Sequence, residues 1–195
     1  MAETTKVTAN IEEYTLGSGD LFIKEYTAGT AVTAEEVITN GERLGEIKGG
    51  ASLEYTTETK EDSSDLGRTK IVIISKEDVV LKSGVMTWNG KTLEKLCQTA
   101  RVSESGEGSA KKRTIKIGGL AHAANKSYAV AFQYKGDGKK GLTALIVGKN
   151  TAGFSITFNS DNATVIDAEF KAQALDNDGT LVVIEETIPD TESAS

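Results

Sequence analysis

The sequence predicts a mainly β protein, an antiparallel β-sandwich or barrel with one flanking α-helix and a long polar loop. Three observations favour this fold class. Several segments alternate apolar and polar residues with a period of two, as half-buried strands do. The chain has 20 Gly and one Pro, so its turns depend on glycine, which tolerates positive φ. One stretch stands out with the spacing of an apolar helical face.

The clearest predicted strand is a half-buried one near the end of the chain. Its apolar residues share one face and alternate with Asp167, Glu169, Lys171 and Gln173: Ile166, Ala168, Phe170, Ala172 and Ala174. Segments 128–134 and 154–158 alternate in the same way. Further strands are predicted at Leu21–Tyr26, Ala51–Thr57, Thr69–Ser75, Thr114–Ile117, Leu142–Val147 and Leu181–Glu186.

The flanking helix is predicted over Thr92–Arg101. Its apolar face consists of Leu93, Leu96, Cys97 and Ala100. Cys97 lies on this face with no charged partner evident in the sequence, so we expect a structural thiol rather than a nucleophile. Thr33 and Glu36 have the spacing of a capping box, which predicts a short helical turn.

Two polar stretches are predicted to be exposed. Residues 54–67 contain five acidic residues, one basic residue, Lys60, and almost no apolar residues. A connection of this length inside a compact domain is usually functional or disordered. Residues 103–113, which change from acidic to basic, are predicted to form an exposed loop.

Composition bounds the possible classes of protein. The length of 195 residues suits a single domain, 1–195, with polar arms at about 1–15 and 187–195. No apolar run approaches the roughly 18 residues that span a bilayer, so no membrane partner is expected. Residues 1–10 lack the layout of a signal peptide, which predicts synthesis in the cytoplasm.

Charge is distributed in blocks along the chain. Residues 1–65 contain 14 acidic and 5 basic residues, a net charge of −9. Residues 66–150 contain 6 acidic and 16 basic residues, a net charge of +10, and residues 151–195 contain 9 acidic and 1 basic, a net charge of −8. These blocks are compatible with solvated faces on which folding intermixes acidic and basic residues. The blocks also suit self-association. A net charge of −7 does not favour general nucleic-acid binding.

No catalytic, cofactor-binding or metal site is predicted. The only Cys and the only His, Cys97 and His122, cannot form a disulfide or an ordinary zinc site. Gly136 and Gly141 have the spacing of a phosphate-binding loop, but the Lys that should follow is absent. Asp176 and Asp178 match part of a calcium loop, but the first ligand is missing, so a β-turn is expected instead.

Five segments, taken in order, resemble one known family. They are Gly17–Ile23, Leu44–Tyr55, Lys82–Trp88, Ala163–Ala174 and Asp178–Glu186. Together they are similar to the major tail tube protein of long-tailed (siphovirus-type) bacteriophages. The resemblance spans most of the chain, and it consists of strand and turn patterns rather than a catalytic signature.

The resemblance implies a virion structural protein, made in the bacterial host cytoplasm and located in the tail. Homohexameric rings would stack into a tube for genome ejection. The polar loop would contact the neighbouring ring through Glu54, Glu58, Glu61, Asp62 and Asp65. Implied partners are further copies of the chain, tail terminator and baseplate proteins, the tape measure protein, and DNA that passes without tight binding. An acidic lining would repel phosphates, and 51–57 and 69–75 are the candidate lining strands.

Two other classes remain open at the level of sequence. The inner tube of a contractile tail or injection device shares the stacked-ring architecture. A β-sandwich carbohydrate-binding or surface module would need exposed aromatic residues, and only 6% of this chain is aromatic.

Overall fold

The computed structural model describes residues 19–63, 70–85, 90–135, 141–151, 153–154 and 165–187. Their elements, in chain order, are β1 (Asp20–Tyr26), α1 (Ala34–Asn40), β2 (Glu42–Gly45), β3 (Ile47–Ser63), β4 (Lys70–Val85), α2 (Gly90–Leu96), β5 (Arg101–Ser105), β6 (Lys112–Lys116), β7 (Ser127–Tyr134), β8 (Leu142–Asn150), β9 (Ile166–Gln173) and β10 (Val182–Glu186). Two short 3-10 helices lie at Gly108–Ala110 and Leu120–His122. The predicted mainly β fold is confirmed.

Eight strands form one antiparallel sheet in the order β2-β1-β7-β8-β9-β4-β3, with β10 also paired to β8. Strand β8 changes partner along its length. Its first half, 142–146, pairs with β10, and its second half, 147–150, pairs with β9. Gly148 lies at this change, where an added Cβ would be 2.2 Å from the carbonyl oxygen of Lys171. The close approach of the two backbones explains why a glycine occupies this position.

The main core lies inside the bend of this sheet. It joins side chains from β1, β2, β4, β7, β8, β9 and α2: Leu21, Ile23, Leu44, Val79, Leu81, Val85, Leu93, Leu96, Tyr128, Val130, Ile146, Ile166, Ala168 and Phe170. Strands β1 and β4 contribute to one cluster although β7, β8 and β9 separate them in the sheet. The two halves of the sheet therefore face one another, in a sandwich-like arrangement.

A second core lies on the opposite face of β7 and β8, beneath α1. It contains Ala34 and Val37 of the helix and Ala129, Ala131, Leu145 and Val147 of the strands. The Thr33 side chain accepts a hydrogen bond from the backbone N–H of Glu36 at 3.2 Å. The helical turn predicted there is thus a seven-residue α-helix, the second helix where one flanking helix was expected.

The flanking helix is shorter than predicted. It spans Gly90–Leu96 rather than Thr92–Arg101, and β5 already begins at Arg101. Leu93, Leu96 and Ala100 are buried as expected, but Cys97 is only partly buried. Cys97 and Ala100 follow the helix in a turn closed by the backbone bonds from Cys97 to Leu93 and from Ala100 to Cys97.

The largest correction concerns the predicted polar loop. Residues 54–63 belong to β3, and they pair with β4 from Val80 to Lys70 with one register shift between Glu58 and Thr59. Cross-strand backbone pairing takes the place of the apolar packing that the segment lacks. The polar stretch 103–113 is likewise a hairpin, formed by β5 and β6. The predicted arm 1–15, the predicted arm 187–195 except for residue 187, Asp65 and most of the predicted strand 154–158 lie outside the described residues.

Burial separates two apolar strand residues that the sequence treats alike. Phe170 is fully buried, whereas Ile73 is 56% exposed. We expect Phe170→Ala to lower the free energy of unfolding by about 3–5 kcal/mol. Ile73→Ala should change it by no more than about 0.5 kcal/mol. Urea unfolding at low protein concentration measures both, and similar losses for the two variants would contradict this placement of the core.

Candidate interaction surface on the β3–β4 hairpin

The β3–β4 hairpin extends beyond the body of the protein. Strand β9 pairs with β4 only from Val80 to Val85, so residues 70–79 of β4 have β3 as their one strand partner among the described residues. We call residues 54–63 of β3 and 70–78 of β4 the arm. Nine residues of β4 correspond to about 27 Å of strand. Within the described part of the chain, the arm therefore presents two unpaired strand edges, which are ready templates for pairing with another chain.

Four consecutive apolar residues lie exposed on the arm. Ile71, Val72, Ile73 and Ile74 are between 54% and 59% exposed. Because successive side chains of a strand point to opposite faces, each face of the arm carries two of them. Exposed apolar residues that occur singly are ordinary, but a contiguous group on a strand with free edges indicates an interaction surface.

Ion pairs between the two strands hold the arm in register. Glu58 pairs with Lys76 at 2.8 Å, and Glu61 pairs with Lys70 at 2.7 Å. Glu54 pairs with Lys82 at 2.7 Å at the base of the arm. Each of these pairs is exposed and contributes at most about 1 kcal/mol. Their role is to fix the geometry of the strands more than to supply stability.

Asp78 connects the arm to the body. Its carboxylate contacts Lys76 on the arm at 2.8 Å and Lys171 of β9 at 2.9 Å. Hydrogen bonds from Lys76 and then from Lys171 lower the pKa of Asp78 below its ordinary value of 3.8. Across the hairpin, Tyr55 donates a hydrogen bond to Glu77, which raises the pKa of the phenol. These contacts link the base of the arm to β9 and join its two strands.

The predicted contact residues lie on this arm. Glu54, Glu58, Glu61 and Asp62 are all on β3 and all exposed, while Asp65 lies outside the described residues. Three of the four carboxylates already have lysine partners on β4. The exposed apolar group on the opposite strand was not predicted as a contact surface. The signal for it in the sequence is the apolar run 71–74, which lacks the period-two alternation of a half-buried strand.

A second hairpin carries a concentration of positive charge. Residues 101–116, which form β5, β6 and their connection, contain five basic and two acidic residues. Glu104 pairs with Lys111 and with Arg113, both at 2.7 Å. Hydrogen bonds from Lys111 and then from Arg113 lower the pKa of Glu104 to about 2.

A cleft lies between β1, β2, α2 and β7. Its volume is about 270 Å³, and its lining includes Lys24, Lys95 and Lys126. Each of these lysines already has a glutamate partner: Glu36, Glu42 and Glu25, respectively. None of these three lysines therefore offers an unbalanced positive charge to a ligand.

Three further candidate sites from the sequence are His122, Asp176 and the segment 136–140. His122 is exposed in the 3-10 helix Leu120–His122. Asp176 accepts hydrogen bonds from the backbone N–H groups of Asp178 and Thr180 at 3.0 and 2.9 Å, in the turn that was expected there. Across the residues the structure describes, no group of three or more His, Cys, Asp or Glu is arranged to hold a metal ion. The possible phosphate loop, 136–140, lies outside them.

Comparisons with known proteins do not assign a family. No protein-family model matches the chain, and no curated protein sequence matches it significantly. In the described part of the chain, no helix is long and apolar enough to cross a bilayer.

The hydrogen bonds from Lys76 and Lys171 predict a low pKa for the carboxyl group of Asp78. In an NMR titration, the carboxyl of Asp78 should have a midpoint below 3.8. Lys76→Met and Lys171→Met should each raise it, because each removes a hydrogen bond to the charged form. The contribution of this carboxylate to stability is present above pH 3.8 and is lost as the pH falls through the lowered pKa. Lys116→Met is the control, and a wild-type midpoint of 3.8 or higher would contradict this arrangement.

Proposed function

We propose that this chain is the structural protein of a phage tail tube, which assembles as stacked hexameric rings around a conduit for DNA. The observation that carries the proposal is the two-edged arm with Ile71–Ile74 exposed on its faces. The strand and turn patterns that resemble the tail tube family support it. The arm would bind a neighbouring copy, as the resemblance implies for this segment of the chain.

The energetics of the arm favour a multivalent assembly over a simple dimer. Fully burying an Ile or Val side chain contributes about 1.5–3 kcal/mol, so covering the exposed half of each contributes about 1 kcal/mol. The four apolar residues of one arm together supply about 4 kcal/mol, comparable with the smallest estimates of the cost of association. Closed rings, in which every copy both gives and receives an arm, multiply this contribution.

The charge of the arm suits a surface that passes DNA without holding it. Its described residues include six acidic and three basic ones, a net charge of −3. Both candidate lining strands, 51–57 and 69–75, belong to this hairpin, with Thr69 outside the described residues. Repulsion screened over about 8 Å at physiological salt would centre a duplex without blocking it.

The inner tube of a contractile device would use the same stacked rings. Negative-stain microscopy of the assembled tail distinguishes the two by the presence or absence of a surrounding sheath.

Shortening the arm tests the proposed assembly. Deleting 59–63 together with 70–74 removes paired residues from both strands and keeps the register from Glu58 and Lys76 toward the body. We expect this variant to fold but to remain monomeric in light scattering and microscopy at concentrations where the wild type forms rings or tubes.

Two further variants serve as controls for the shortened arm. Replacing Ile71, Val72, Ile73 and Ile74 by Thr keeps the length of the arm and should weaken assembly. Leu120→Ser changes a 90% exposed apolar residue outside the arm and should leave assembly intact. Normal tube growth by the shortened variant would refute the role of the arm, and a wild type that stays monomeric at every salt and protein concentration would refute the proposed function.

The assembled tube should bind duplex DNA weakly. We expect no binding at physiological salt, because contacts repeated on every ring would otherwise stall the genome. Fluorescence anisotropy of a labelled duplex with soluble subunits and with assembled tubes measures this over a salt series. Affinity on the order of micromolar or tighter that falls steeply with salt would show a DNA-contacting surface instead.

A further inference from the structure

The outer face of the β5–β6 hairpin combines cations with hydroxyl groups. Val102 and Ile115 are half-buried on the inner face of the hairpin. The alternating residues share the outer face, where they pair as Arg101 with Lys116, Ser103 with Thr114, and Ser105 with Lys112. All six are exposed. This face therefore presents three positive charges and three hydroxyl groups.

The positive charges of this face are not balanced within the described structure. Glu104 lies on the inner face with Lys111 and Arg113, and Glu107 lies in the connecting turn. Arg101 donates a hydrogen bond to the carbonyl oxygen of Gly118 at 3.2 Å, which leaves its charge uncompensated. Lys112 and Lys116 have no ion-pair partner among the residues described. The face is therefore suited to bind a negatively charged group.

A segment of the same chain has the complementary composition. Residues 185–192 contain Glu185, Glu186, Asp190 and Glu192 and no Lys or Arg. Glu185 and Glu186 end β10, where both are exposed and have no ion-pair partner in the described part of the chain. Strand β10 pairs only with β8 among the described strands, so its outer edge is open as well.

The basic face is attached at one end of β7, and Glu185 and Glu186 lie near the other. Gln98, just before β5, exchanges hydrogen bonds of 3.0 and 2.9 Å with the backbone of Lys126, where β7 begins. Glu186 pairs with Leu142, which pairs with Tyr134 at the end of β7. Eight residues separate these ends by about 24 Å. A second copy placed head to tail would bring the two surfaces together more directly than one chain folding back.

We propose that the outer face of the β5–β6 hairpin binds the acidic segment 185–192 of a second copy of this chain. The contact is heterologous, since each copy contributes a different surface to it. Contacts of this kind close into rings or continue into filaments. The inference rests on the proposed self-assembly and adds to it the pair of surfaces that supplements the arm. The contact is electrostatic, so added salt should weaken it.

Exchange of charges between the two surfaces tests this contact. The first variant is Lys112→Glu with Lys116→Glu, the second is Glu185→Lys with Glu186→Lys, and the third combines all four changes. Sedimentation velocity over a range of protein and salt concentrations measures assembly. Each double variant should require on the order of tenfold more protein for half-assembly, and the combined variant should recover to within about threefold of wild type.

The outcomes separate this inference from the role of the arm. Double variants that assemble like wild type, or a combined variant no better than either double variant, would overturn the contact. If shortening the arm abolishes assembly while charge reversal has no effect, the proposed function stands and this contact fails. If charge reversal weakens assembly and shortening the arm does not, the contact stands and the role of the arm fails. A monomeric wild type refutes both.

The same cations could also bind nucleic-acid phosphates, which provides a further decisive outcome. Duplex binding by wild type at low salt is compared with binding by the Lys112→Glu, Lys116→Glu variant. Loss of duplex binding in this variant, with its assembly unchanged, would assign the face to phosphate and overturn the contact between copies. Unchanged, weak duplex binding in both proteins supports the contact.

Discussion

The long antiparallel pairing of β3 with β4 is the interaction on which the rest of the structure depends. The inner half of β4 supplies Val79, Leu81 and Val85 to the main core and pairs with β9. Its outer half has β3 as its only described strand partner, yet it keeps extended geometry because the ladder runs on from the body. A core-forming strand thus carries an exposed arm whose own residues bury almost nothing.

The arm illustrates how ion pairs can shape a surface without contributing much to stability. Three of its carboxylates on β3 pair across the hairpin with Lys70, Lys76 and Lys82, while the arm as a whole keeps a net charge of −3. What remains for a partner is the apolar run 71–74 and two lines of backbone hydrogen-bonding groups. A neighbouring strand satisfies both, since backbone pairing gives affinity and alternating side chains give specificity.

Part of the charge separation along the sequence persists as separation in space in the fold. Positive charge from the middle of the chain collects on the β5–β6 hairpin, while the acidic end of β10 remains separate from it. Folding has not intermixed these two regions, although it has paired Lys24, Lys95 and Lys126 with nearby glutamates. Separation of opposite charges on one molecule favours contacts between copies over contacts within one.

The sequence by itself determined the β class, the strand faces and the capped turn at Thr33. These depend on local periodicity and on side-chain bonds over a few residues, as the alternation of Ile166, Ala168 and Phe170 illustrates. Only the tertiary structure decided that residues 54–63 form a strand, because their order comes from pairing with β4 rather than from their own apolar content. The exposure of Ile71–Ile74 was decided there too, since a β-branched run has the same local preference whether buried or exposed. The early end of α2 has no local signal either, because it follows from the start of β5 at Arg101.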